Sequence, residues 1–599
     1  MSEAREDEDR EPRGEREDEV ARGGDARPGG LRHSVWPWIA VAVFCVSLLT
    51  PFWEIVVSGD PREVVPLFPR YEGELETRLE NFGKTASKND QLFVAWLVAR
   101  NARTLLSDPL ALYDAEECFP TPNVLAYGEH MITLGIMGIP AHLASGDPLL
   151  TFNFVLVMTT FLSALAMYLL VAEWSGVPAA GVVAGLLYAF APVKLDNVTH
   201  PYVNDTMWTV LALMTARRFF AGGRWRDALL TGLFCALQIG GSFYPFLAAL
   251  LLAVPVLVWL LVDYGVRKLR PAPTLAMLAI ILTAGWLVFS PYLDLHANSE
   301  VASRTRQAFA EGSVFLPGGR RFPGWLGLSL AAAAFAFGRK RALGGIPGDP
   351  RWALLLACPL ILVMAMGPHL PGPIDFYSAL GALLPGFDSV RIPRDQASGI
   401  HLALSLLAGL GAAALLRAAP SRYALAAGLA LVLITYAVTL RPTALGLEPP
   451  VVYRAHVARP EAETLDFFRS LEARGNRGPV LELPIGYGSP GPRAMQILTS
   501  AYHHRPTSSC YNSFIPVEFE TTWKLGKKVP DPEAVAALRE MGFTTVVAHH
   551  SHKTQLVVFD KAKLDRAAAE AEGPLRALYS IPSMSAYEIL PRVEDPSDR

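Results

Sequence analysis

Eight side chains in this sequence have the types and neighbours needed to handle a charged, oxygen-rich ligand: Asp90, Glu129, His130, Lys194, His200, Tyr244, Arg391 and Arg394. Asp90 stands in the run NDQLFVAW (89–96), at the head of a segment with helical periodicity. A carboxylate is favoured at a helix N-terminus, so Asp90 suits a cap as well as a proton acceptor. Glu129 and His130 follow Gly128, just ahead of an apolar run. Adjacent positions do not share a helix face, so each would reach a polar pocket from a loop, or remain a surface polar residue. Lys194 and His200 lie in KLDNVTH (194–200), beside an apolar segment. A lysine and a histidine there suit an anionic head group; snorkelling of Lys194 is the competing reading. Tyr244, in GGSFYP (240–245), suits stacking on a sugar or anchoring at a membrane interface. Arg391 and Arg394 are three apart in DSVRIPRD (388–395). In a helix or tight turn they converge, and two guanidiniums match a phosphate or pyrophosphate; a pair of lipid-facing arginines is the alternative.

Other chemistries lack support in the residue pattern. There is no P-loop, no GxSxG, no HExxH and no GxGxxG in a strand–helix context. His549, His550 and His552 follow a strand-like run without metal-ligand spacing, and the five cysteines show no zinc pattern. No cofactor is expected, and a divalent cation has no motif behind it. The formal net charge of -3 offers no basic footprint for nucleic acid.

The elements that must position these residues are mostly membrane helices. Half the residues are apolar (51%) and only 18% are charged, against about a quarter charged in soluble proteins. Apolar runs near the ~20 residues that cross a bilayer fall at 36–57, 150–172, 178–192, 204–220, 228–245, 246–263, 274–292, 322–337, 351–367, 397–416 and 421–440. That predicts an α-helical polytopic membrane protein of about eleven spans. The 178–192 run is short and would serve only by packing its small residues tightly against neighbours. Residues 1–35 form a charged tail without the composition to fold.

The basic runs at 217–226, 267–270 and 339–341, with Arg417 and Arg422, occupy alternate loops. The positive-inside rule places them, and the N terminus, in the cytoplasm. Loops 58–149, 193–203, 293–321 and 368–396 then lie outside, with everything after Leu440. Within the long first loop, 90–107 predicts an amphipathic helix lying in the interface, with Arg100 and Arg103 turned away from its apolar side. Residues 131–144 predict a re-entrant or interfacial segment. Residues 445–599 alternate strand-like runs (480–484, 544–550, 555–560) with helix-like ones (460–475, 531–542), which predicts a small soluble α/β domain. Cys118 and Cys510 both fall outside in this topology, where an oxidising compartment permits a disulfide.

The runs NDQLFVAW (89–96), DPLALYDAEECFPTPNVLAYGEH (108–130), GDPLLTFN (146–153), GLLYAFAPVKLDNVTHP (185–201), SVRIPRDQASGIHLALSLLAGLGAAALL (389–416) and LELP with HHRPTSSCYNSFIP (481–516) resemble the bacterial GT-C-type membrane proteins. More narrowly they resemble the YfhO-like and dolichyl-phosphate-mannose-transferase-like group. The resemblance implies a glycosyltransferase of the cell envelope that moves a sugar from a polyprenyl-phosphate donor to a lipid, glycan or protein acceptor at the outer face of the inner membrane. It implies a first-loop acid as base, matched by Asp90 with Glu129 as a second acid. It implies a donor-phosphate neighbourhood at Lys194, His200, Arg391 and Arg394. A lipid or glycan transporter and a non-catalytic envelope assembly protein are the rival classes; the first would show inverted repeats, which this chain lacks.

Overall fold

The computed structural model describes residues 35–66, 70–71, 86–195, 197–266, 269–298, 301–304, 308–317, 322–338, 349–370, 375–383, 390–440, 451–452, 455–486, 490–550 and 559–591. The charged tail, the basic residues at 267–268 and 339–341, His552 and most of the strand expected at 555–560 lie outside these.

Every expected apolar run is a helix. Seven helical stretches are long and apolar enough to cross a membrane: Trp36–Val57, Pro148–Ser175, Phe243–Tyr264, Pro271–Leu295, Pro350–His369, Pro393–Ala418 and Ser421–Leu440. Large apolar side chains stand exposed on several, including Trp38, Leu282, Trp286 and Leu433. Such contiguous exposure fits a lipid solvent and makes the chain a multi-pass membrane protein. The other four helices, Pro178–Ala189, Met207–Gly222, Trp225–Ile239 and Trp325–Ala336, have 12, 16, 15 and 12 residues. At about 1.5 Å per residue they reach roughly 18–24 Å, short of a ~30 Å hydrocarbon core. They are held as parts of the bundle.

Close packing does that work. In Pro178–Ala189 every residue from Ala179 onward is buried. A Cβ on Gly185 would lie 2.5 Å from Phe44 Cζ and 2.7 Å from the Ala164 carbonyl oxygen. Only glycine lets the backbones approach so closely. The neighbouring Pro148–Ser175 starts on an N-cap in which Asp147 accepts from the Leu149 and Leu150 amides at 3.0 Å each, with Pro148 in the first turn.

The helix Ala86–Ser107 departs from expectation. It does not lie exposed in an interface: residues 91–102 are almost wholly buried, the polar Gln91, Arg100 and Asn101 included. Helices Ile132–Ser145, Pro148–Ser175 and Pro490–His503 pack around it. Arg100, expected on the solvent side, donates to the Ala111 and Asp114 carbonyls (2.9 Å each) and pairs with Glu116 at 3.2 Å. Periodicity reports an apolar face; it does not report that a distant helix covers the polar one.

The C-terminal region holds a four-stranded mixed sheet in the order Val480–Leu483, Thr545–His549, Met584–Ile589, Leu575–Ser580. The first pair is parallel, with Val480 opposite Thr545, and the others antiparallel. Helices Ala462–Ala473 and Pro532–Glu540 fall where expected. Three short antiparallel ladders join this region to the membrane part: Val64–Pro66 with Ala455–Val457, Arg70–Tyr71 with Val451–Val452, and Val301–Arg304 with Phe514–Pro516. The Cys118–Cys510 disulfide joins them again, across 392 residues of sequence.

Candidate active site

Asp90 is not a helix cap. The helix begins at Ala86, which places Asp90 one turn in. Its Oδ1 accepts the Tyr511 hydroxyl at 2.6 Å, and its Oδ2 lies 3.8 Å from His200 Nε2. The side chain stays 37% exposed, so the carboxylate is open to a ligand. Burial pushes its pKa up, but His200, the Tyr511 hydroxyl and the charge of Arg391 outweigh burial and hold it below the ordinary value. Asp90 is therefore ionised at neutral pH.

Glu129 caps a different helix. Its Oε2 accepts from Ser242 Oγ (2.8 Å) and from the Phe243 amide (3.0 Å), at the start of Phe243–Tyr264. Burial raises its pKa against the pull of those two bonds and of Arg391. His130 is entirely buried. Its Nε2 lies 2.9 Å from the Ile239 carbonyl oxygen and its Nδ1 3.1 Å from the Tyr292 hydroxyl. The rings of Phe243, Phe289 and Tyr292 surround it. Burial pushes its pKa down to about 4, so it is neutral. With both nitrogens engaged, His130 fixes the loop that presents Glu129.

Arg391 is the hub. The half-buried guanidinium acts on Asp90, Glu129, Tyr244 and Tyr511. Its Nε is buried without a hydrogen-bond partner. Burial opposes its charge, but Tyr244, Tyr202 and Asp90 more than offset this and raise its pKa. The loop that carries Arg391 is tied down by the Arg391 carbonyl, which accepts the Ala308 amide at 2.9 Å. Arg394 does not join it: that side chain is 50% exposed, with Nε 4.0 Å from Asp395 Oδ1.

Lys194 lies in a second polar group. Its Nζ donates to the Asn204 carbonyl (2.6 Å) and Thr206 Oγ1 (3.0 Å), and sits 4.8 Å above the Tyr188 ring. It is buried and does not snorkel. Burial, opposed by Asp205, lowers its pKa to about 7.

The structure thus brings together Asp90, His200, Tyr244, Arg391 and Glu129, and leaves Arg394 and Lys194 apart from them. It adds Tyr202, Ser242 and Tyr511, which sequence reading missed. Tyr511 stands beside a cysteine in HHRPTSSCYNSFIP, but nothing local marks its partner 421 residues away. Three other first-loop acids are occupied elsewhere: Glu116 pairs with Arg100 and Arg103, Asp114 accepts the Asn123 amide, and Asp60 pairs with Arg62. Among the described residues no group of three or more His, Cys, Asp or Glu side chains is arranged to hold a metal ion.

No family model matches this chain, and no curated protein matches it. Solved structures do. The cryo-EM structure of the arabinofuranosyltransferase AftD from Mycobacteria aligns with a TM-score of 0.54 at 16% identity, over 93% of this chain and 40% of the other. A mutant of AftD aligns with a TM-score of 0.50 at 17% identity, over 94% and 42%. The crystal structure of ArnT from Cupriavidus metallidurans bound to undecaprenyl phosphate aligns with a TM-score of 0.46 at 13% identity, over 92% and 97%. This chain spans less than half the length of the mycobacterial structures. The shared architecture defines a GT-C-like membrane protein with a small C-terminal strand-containing region. The narrower YfhO-like grouping is not among these likenesses.

Proposed function

We propose that this protein is a glycosyltransferase that moves a sugar from a polyprenyl-phosphate donor to a hydroxyl acceptor at the outer face of a bacterial inner membrane. The observation that carries this reading is the convergence of an ionised, partly open carboxylate, Asp90, with a half-buried guanidinium, Arg391, beside the bundle. The GT-C-like fold supports it. Asp90 accepts the proton of the acceptor hydroxyl as that oxygen bonds to the anomeric carbon. The bond from that carbon to the phosphate oxygen breaks, and its electron pair leaves on the lipid phosphate. Arg391 compensates the phosphate charge that develops. One carboxylate suffices for such a single, inverting displacement, and no nucleotide or cofactor enters it. Glu129 stands as a second acid within electrostatic reach of Arg391. The Cys118–Cys510 bond supports an oxidising, extracytoplasmic setting for the first loop and the C-terminal region.

The test is transfer in proteoliposomes, with radiolabelled polyprenyl-phosphate sugars as donors and nucleotide sugars as controls. Sugar release from the lipid donor to an acceptor extract is expected, and none from nucleotide sugars. Turnover of nucleotide sugars alone, or movement of the lipid across the bilayer without loss of its sugar, would sink the reading; the second result would point to a transporter.

A further inference from the structure

Asp90 is held by a residue that the membrane domain does not supply. Tyr511 belongs to the C-terminal region and directly follows Cys510 in the chain. Its hydroxyl donates to Asp90 Oδ1 at 2.6 Å. Its ring rests against Phe93, one turn along the Asp90 helix, at 5.6 Å between centroids. Its amide donates to Glu117 Oε2 at 3.4 Å, and Glu117 is the neighbour of Cys118. The two cysteines and the two residues flanking them on the inner side therefore form one knot.

Among the described residues, backbone bonds dock the segments leading to that knot as far as residue 509. Thr507 donates to the Glu116 carbonyl (2.7 Å), Cys118 to Ser509 (2.9 Å) and Phe119 to Thr507 (3.0 Å). Beyond them the disulfide, the Arg493 bond to the Cys510 carbonyl (3.0 Å) and the Asn512 bond to the Val124 carbonyl (3.4 Å) are tethers next to Tyr511. We infer that Tyr511, clamped by the Cys118–Cys510 disulfide, is a positioning residue that orients the Asp90 carboxyl. The C-terminal region is then a structural part of the active site. The inference rests on the reading of Asp90 as the working carboxylate, but its measurement does not need sugar transfer.

Four groups face Asp90: His200 just ahead of the short helix Pro201–Asn204, Tyr202 within that helix, Arg391 from the loop ahead of Ser398–Ala418, and Tyr511. Only Tyr511 is removed in the test. A hydrophobic carbodiimide labels protonated carboxyls, so mass spectrometry of the Asp90 peptide across pH reads its titration on the intact protein. A hydrogen bond to the ionised form favours that form. Tyr511→Phe keeps the ring contact with Phe93 and should move the Asp90 labelling midpoint to higher pH by roughly one unit, since hydrogen bonds to charged groups are worth about one decade or more. The paired variant Cys118→Ser/Cys510→Ser should move the midpoint in the same direction. Adding Tyr511→Phe to it should produce little further shift, because both act through one bond. An unmoved midpoint in Tyr511→Phe overturns the inference. So does a cysteine variant that titrates like wild type, or shifts that sum. If the midpoints move as stated while the wild type transfers no sugar, the proposed function falls and this inference stands.

Discussion

Asp90→Asn separates the chemical role of the carboxylate from its structural one. Asparagine is nearly isosteric, and its Oδ1 can still accept the Tyr511 hydroxyl now bonded at 2.6 Å. The structural cost is the charge-assisted part of that bond and the 3.8 Å pairing with His200, on the order of 1–2 kcal/mol. That is small against a total stability of roughly 5–15 kcal/mol, so most of the protein stays folded. The catalytic cost is larger. A positioned general base contributes about 10²–10⁴-fold, and the amide cannot accept the proton. At ~1.36 kcal/mol per decade this is roughly 2.7–5.4 kcal/mol on the transition state. The fall should appear in kcat, with donor KM within a few-fold, because Arg391 and not Asp90 faces the phosphate. The assay is steady-state transfer from a labelled polyprenyl-phosphate sugar, corrected for the monodisperse fraction on size exclusion. In the wild type the acid limb should lie below the ordinary carboxyl range, since His200, Tyr511 and Arg391 together outweigh burial and favour the ionised form; rate rises with pH through that limb and Asp90→Asn should remove it. A kcat within threefold of wild type, or a loss no greater than the lost folded fraction, would refute the reasoning.

Other predictions bear on separate parts of the structure. Arg391→Gln should weaken donor binding by about 10–100-fold, the range for lost hydrogen bonds to a charged group; equilibrium binding of polyprenyl phosphate reads this, and unchanged affinity would move the phosphate elsewhere. Glu117 is buried, and burial lifts its pKa from 4.5 to about 8. The folded state then binds the extra proton between those values, so stability should fall as pH rises from ~4.5 to ~8, by up to about 1.4 kcal/mol per unit; Glu117→Gln should flatten that part of a thermal-stability profile, and an unaltered slope would contradict it. Gly185→Leu places atoms where Phe44 and the Ala164 carbonyl already stand, and should cost roughly 1–3 kcal/mol from overpacking, seen as a lower melting temperature in detergent. An unchanged melting temperature would mean that the short helix is not close-packed there.

The membrane architecture was legible in the chain because it follows from local composition. A run of apolar residues must bury its side chains in lipid and satisfy its own backbone, and a helix does both. All eleven runs are helices for that reason, and Pro178–Ala189 packs through its small residues as its composition requires. The alternation in the C-terminal region was equally local, as were the first-loop acid and Arg391 as candidates. What surrounds each candidate was not. Periodicity in Ala86–Ser107 named an apolar face but not the helix Pro490–His503 that covers its other side. The bond from Tyr511 to Asp90 spans 421 residues and the disulfide 392, and no spacing rule reaches so far. Lys194 and Arg394 had residue types as suitable as Arg391, yet one turns into the bundle and the other toward solvent. Residue type sets which charge a position can carry; only the packing of distant segments sets which charges meet, because a meeting is a matter of a few ångströms that local sequence does not encode.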